Sequence, residues 1–206
     1  MANGETLEYK YHKCVIAFDE SYRRTGYAIV VDGKIKKLGS FDFQKAKCYN
    51  NPEKRIYIRK QANKMLKLCV DKYGFENVAV VIERIRTFTL GDTLNTKYLK
   101  SVGALVASIV DTAYEYGIET WSADTRAWKS AVLGTSKPQV TPFNGVKDPK
   151  KILDVKYIIS LGFDEELKIF RGNGMRTFCR YDDDAADAAC MGLYAFKKRN
   201  TLRRER

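Results

Sequence analysis

The chain has 206 residues, with 37 Lys plus Arg against 25 Asp plus Glu for a formal net charge of +12, and a single histidine, His12. That length buries one generous core, and the excess of positive charge suits a polyanionic partner, of which nucleic acid is the commonest. One histidine excludes His-rich zinc sites and disfavours Ser-His-Asp or Cys-His catalysis, so chemistry here falls to carboxylates, lysines, hydroxyls or thiols.

No window approaches the ~18 consecutive apolar residues of a bilayer span. The opening Met-Ala-Asn-Gly-Glu-Thr-Leu-Glu lacks the basic-then-apolar pattern of a secretory leader. The five cysteines (Cys14, Cys48, Cys69, Cys179, Cys190) are scattered and form no CxxC pair; Cys14 and Cys69 fall in apolar patterns and read as buried thiols. The expectation is an intracellular, cytoplasmic protein with no membrane partner. Residues 1–13 read as a polar lead-in, 14–199 as a single domain, and 200–206 as a basic tail that orders only against phosphate.

In chain order, the apolar run 15–18 is a short, doubly covered strand that stops at Asp19. Residues 26–31 form a second strand, and Asp32-Gly33 is a tight-hairpin signal into a third, about 34–43. Pro52 opens a helix whose apolar positions Ile58, Ala62, Met65, Leu66, Cys69 and Val70 run to Tyr73, where Gly74 stops it. Residues 78–82 are a second buried strand, and it too ends on a carboxylate, Glu83. Residues 95–116 make a long helix with a broad stripe of Leu99, Val102, Leu105, Val106, Ile109, Val110 and Ala113. Gly103 and Ala104 suggest close approach to a neighbour, and the breadth of the stripe predicts packing on both the sheet and a second subunit.

A strand at 118–121 follows, then a helix capped by Asp124 and carrying Trp128, Lys129 and Val132. Residues 135–149, with Pro138, Pro142, Gly145 and Pro149, read as a loop. A helix at 150–161, a mobile stretch at 171–176 and a final helix at 182–198 complete the chain. The order implies an α/β fold: a mixed five-stranded sheet, three antiparallel strands then two parallel, with helices on both faces.

The final helix opens Tyr181-Asp182-Asp183-Asp184-Ala-Ala-Asp187-Ala-Ala. Acids in a first turn suit the helix dipole, and Asp182 is a natural N-cap. Asp187 sits deeper, among alanines that face the sheet, and pairs with Asp184 at i, i+3 or with Asp183 at i, i+4. An acid closing a buried strand is costly without a cation, although Asp19 alone would read as a turn residue. Asp19, Glu83, Asp184 and Asp187 come from three distant parts of the chain, each at an element end where the sheet would gather them. Clustered carboxylates raise one another's pKa values. Two hard cations relieve that conflict, and all-oxygen ligation favours Mg²⁺, with Mn²⁺ as substitute. Ions about 3.5–4 Å apart are a standard device for phosphodiester hydrolysis.

Asp19 with Ser21 and Thr25-Gly26-Tyr27-Ala28, then Ile82-Glu83, then Asp184-Ala-Ala-Asp187-Ala188, resemble the motifs of the RuvC-type Holliday junction resolvases. That family lies in the ribonuclease H-like, or retroviral-integrase, superfamily. The likeness runs over about residues 15–196 in element order and is sharpest in the D-x-x-D-A of the Ala-rich helix. It implies a ribonuclease H-like fold and a metal-dependent endonuclease cutting four-way junctions or related branched DNA by paired nicks. Asp19, Glu83, Asp184 and Asp187 are then the catalytic metal ligands. It further implies that Lys129 and one of Lys150 or Lys151 hold the scissile phosphate, and that Arg84, Arg86 and Phe88 contact the junction. Phe88 is suited to stacking on a base. A homodimer would deliver symmetric cuts. The alternatives are a monomeric ribonuclease H acting on RNA–DNA hybrids, or a basic junction-binding protein without catalysis. Actin-like sugar and acetate kinases also pair an early strand-ending Asp with Thr-Gly, but need two such domains, so no nucleotide cofactor is expected.

Overall fold

Asp32 and Gly33 both take positive φ, 50° and 73°, the geometry of the two-residue turn that matches strand twist. Strand β2 (Arg24–Val31) therefore folds straight back as β3 (Lys34–Asp42), while on its other side it pairs antiparallel with β1 (Cys14–Glu20). The computed structural model describes residues 12–85, 96–135, 149–171, 178–197 and 203–205. The expected loop at 135–149 and the stretch at 171–176 lie almost wholly outside these.

Strand β1 is parallel to β4 (Val78–Glu83), and β4 is parallel to β5 (Glu119–Ala123). The order β3-β2-β1-β4-β5 is the expected mixed five-stranded sheet, and it gains a sixth member. Residues Arg203–Glu205, read from sequence as a loose tail, form β8 antiparallel to β5. Three charged residues carry no apolar alternation, so nothing local marks them as a strand. Strands β6 (Lys168–Arg171) and β7 (Phe178–Tyr181) make a separate two-stranded ribbon that the sequence also does not announce.

Helices cover both faces. Helix α1 (Asn51–Tyr73) starts with a reciprocal cap between Asn50 and Glu53, with Pro52 in its first turn, and ends at Gly74. It packs with α2 (Thr96–Glu115) over Cys14, Ile16, Phe18, Val80 and Ile82. The opposite face carries α3 (Thr125–Leu133), α4 (Pro149–Ser160) and α6 (Asp183–Lys197), with the single turn α5 (Asp164–Leu167). Strand alternation splits the sheet cleanly: Val15, Ala17 and Val81 face α6. Asp19 and Glu83 continue that face at the carboxyl ends of β1 and β4, where Phe18 registers with Ile82.

Gly103 does not serve close packing: a Cβ there would meet nothing within 4 Å. The tight approach is made by α6 instead. A Cβ at Gly192 would lie 2.7 Å from Val30 Cγ2, and Ala185, Ala186, Ala188 and Ala189 are fully buried. Cys14 and Cys69 are buried free thiols, as expected. No helix among the described residues is long and apolar enough to cross a membrane.

Candidate active site

Asp182 caps α6, its Oδ1 accepting from the Ala185 N–H at 3.2 Å while the Ser40 hydroxyl donates to Oδ2. The cap sets the first turn of the helix against the ends of β1 and β2, so Asp183, Asp184 and Asp187 enter the site from above. All three are buried, as is Asp19. Burial pushes the Asp19 carboxyl well above the usual carboxylate range, and the nearby charges of Asp187, Glu83 and Asp184 push it further. Each of these acids therefore lies within electrostatic reach of Asp19 across three segments of the chain. Glu83 is raised for the same first reason, burial, with Asp187 adding to it and the Thr125 side chain opposing. Asp184 is raised by burial and held back by Lys151 and Arg24.

The cations in this cluster are as informative as the acids. Lys151 reaches in from α4, its Nζ 3.2 Å from Asp183 Oδ2, 3.2 Å from Asp184 Oδ1 and 3.7 Å from Asp187 Oδ2. It also lowers the pKa of Asp19, so one ammonium serves four carboxylates. Lys150 lies on α4, but its side chain is outside the described residues. Lys129 is buried, with its ammonium held between Asp154 and Asp187, the latter at 3.4 Å. Arg84 is half-buried beside Glu20, Glu83 and Thr125, lining a cleft of about 200 Å³. Arg86 and Phe88 lie outside the described residues.

Two residues that the sequence reading passed over organise the site. Arg24, on β2, fans its guanidinium across the first turn of α6. Nε donates to Asp184 Oδ2 at 3.1 Å, Nη2 to Asp183 Oδ1 at 3.3 Å, and Nη1 stands 3.9 Å from Asp182 Oδ1. The tightest group of possible ligand oxygens among the described residues is this same trio, all within 4.8 Å of one another. Arg24 and Arg180 already neutralise it, the latter 3.3 Å from Asp183. The second residue, Asp154, is fully buried on α4. Its signal in the sequence is an acid within the apolar stripe of Ile152, Val155 and Ile158.

Arg24→Met is expected to lower stability by about 3 kcal/mol, because it strips one cation from three buried carboxylates. At this chain length that is a fall in melting temperature of about 6–12 °C. Arg24→Lys should recover only part of it, since a point charge cannot span three acceptors. A thermal melt of Arg24→Met unchanged from wild type would contradict the clamp.

Asp19 is within electrostatic reach of Glu83, Asp184 and Asp187, and the Lys151 ammonium touches Asp184 and Asp187.

No protein-family model matches the sequence, and a search of curated proteins returns no match. Solved structures do match. The chain has a ribonuclease H-like fold, with the sheet order β3-β2-β1-β4-β5 and helices on both faces. Thermus thermophilus RuvC superposes with a TM-score of 0.60 at 16% identity, over 93% of this chain and 99% of that one. T. thermophilus RuvC in complex with a Holliday junction substrate gives 0.57 at 15%, over 94% and 100%. The yeast mitochondrial Holliday junction resolvase Ydc2 gives 0.53 at 13%, over 94% and 82%.

Proposed function

We propose that the chain is a metal-dependent DNA endonuclease that resolves four-way junctions or related branched DNA by paired nicks, with residues 14–199 as its nuclease unit. The observation that carries this reading is the meeting of Asp19, Glu83, Asp184 and Asp187 at one end of the sheet, in a fold shared with proteins described as Holliday junction resolvases. One of those structures is described as a complex with a Holliday junction substrate. The net charge of +12 suits such a partner.

The four acids would hold two Mg²⁺ or Mn²⁺ ions, which when bound supply an activated water and a counter-charge for the leaving oxygen. The chain's own contribution is positioning and charge. Lys151, whose side chain is 29% exposed, is the ammonium able to meet both the acids and an incoming phosphate. Lys129 is enclosed by Asp154 and Asp187, so in this reading the phosphate falls to Lys151. Arg84, at the mouth of the cleft beside Glu83, is placed to meet the DNA backbone, with Arg86, Phe88 and Lys150 as further DNA contacts. Two copies of the chain would set the two nicks on opposite strands.

The test is a labelled four-way junction incubated with the protein in Mg²⁺. Paired nicks are expected, with chelation by EDTA abolishing them and added Mn²⁺ restoring them. Cutting of an RNA–DNA hybrid in preference to the junction would favour the ribonuclease H reading. Junction binding without products in either metal would leave only a binding protein.

A further inference from the structure

We infer that Asp154 is a positioning residue that holds the Lys129 ammonium back from Asp187, and so sets how strongly the acid cluster binds a divalent cation. This rests on the metal-dependent reading above. Asp154 is 0% exposed, on the face of α4 that buries Ile152, Val155 and Ile158 against α6. An aliphatic side chain would satisfy that packing, and a buried carboxyl is costly. Oδ2 accepts from Lys129 Nζ, Oδ1 is buried without a donor, and the same carboxyl lies against the Asp187 side chain. Its polar surroundings are thus Lys129 and Asp187, the ammonium and the acid whose contact it governs.

The geometry around Lys129 supplies the reason. Its Nζ makes its close contact with Asp154 and stands 3.4 Å from Asp187 Oδ1, well outside the usual ~2.7–2.9 Å of a charge-assisted bond. The Trp128 ring, 4.3 Å from Nζ, backs the same placement. With Asp154 removed, this buried ammonium keeps Asp187 as a carboxylate partner on which it can close. A lysine closing fully onto Asp187 would neutralise a carboxylate that the cation needs, in a setting where water does little to screen the charge. Groups that orient metal ligands without touching the metal commonly change affinity by about 10–100-fold.

The experiment is Mn²⁺ binding to the full chain without DNA, followed by isothermal titration calorimetry and by the electron paramagnetic resonance of free Mn²⁺. Asp154→Leu is expected to weaken binding about tenfold, while Asp154→Asn, which keeps a carbonyl acceptor for Lys129, should lose about threefold or less. Adding Lys129→Met to Asp154→Leu should restore wild-type affinity, because the charge that intrudes on Asp187 is gone. That apolar pair is also the variant best suited to fold, since buried ion pairs are often replaced by apolar residues without loss. Should Asp154→Leu alone fail to fold, Asp154→Ala takes its place in the cycle. Unchanged affinity in the single variant, or a loss that Lys129→Met does not reverse, would overturn the inference. A wild-type chain that binds no Mn²⁺ would instead overturn the metal-dependent reading itself.

Discussion

Asp19→Asn should cut a four-way junction at least about 10³-fold more slowly than wild type in Mg²⁺, a loss of about 4 kcal/mol of transition-state stabilisation. The substitution keeps shape and volume and removes one negative charge from the centre of the acid cluster. Burial and the charges of Asp187, Glu83 and Asp184 all oppose ionisation of Asp19. An amide there should therefore fold at least as well as the acid, with a melting temperature equal to or above wild type. Junction affinity in a gel-shift titration should hold or rise slightly, because a negative charge is lost beside the incoming phosphate. The pairing of gained stability with lost rate separates a working carboxylate from a capping one. Cutting at the wild-type rate, or a large fall in melting temperature, would show that Asp19 serves the fold and not the chemistry.

How much of this site the sequence discloses depends on how local each feature is. The ends of β1 and β4 are visible because an unbroken apolar run stops at Asp19 and again at Glu83, and each signal is complete within a few residues. The turn at Asp32-Gly33 and the caps at Asp124 and Asp182 are legible for the same reason. The clamp is not. Arg24 and Asp184 are 160 positions apart, and nothing around either residue marks the other as its partner. Lys129 illustrates the same limit: its partner Asp154 lies 25 residues on, and nothing around either residue marks the pair. Strand β8 is recruited by the free edge of β5 and not by its own side chains, so its residues carry no pattern to read.

Gly26→Ala should cost about 3 kcal/mol or more in stability, at the upper end for overpacking because the obstacle is backbone and cannot rotate away. Gly26 lies directly across from Asp19 in the β1–β2 register, on the face that α6 covers. A Cβ at that position would stand 2.0 Å from the Asp184 carbonyl oxygen, 2.2 Å from its carbon and 2.7 Å from the Ala185 nitrogen. Real Cβ contacts stay beyond 3.0 Å, so α6 must retreat by at least about 1 Å. The missing side chain is thus what allows the first turn of α6 to descend until Asp184 and Asp187 reach Asp19. A fall of about 6–12 °C in melting temperature is expected, and displaced ligands should slow junction cleavage by at least about 10²-fold in whatever folds. Gly103→Ala is the matched control: its Cβ meets nothing, and inside α2 the change should add about 0.5–1 kcal/mol of stability. If Gly26→Ala melted and cleaved like wild type, α6 could not lie where the register and the acids place it, and the convergence of carboxylates on which the nuclease reading depends would go with it.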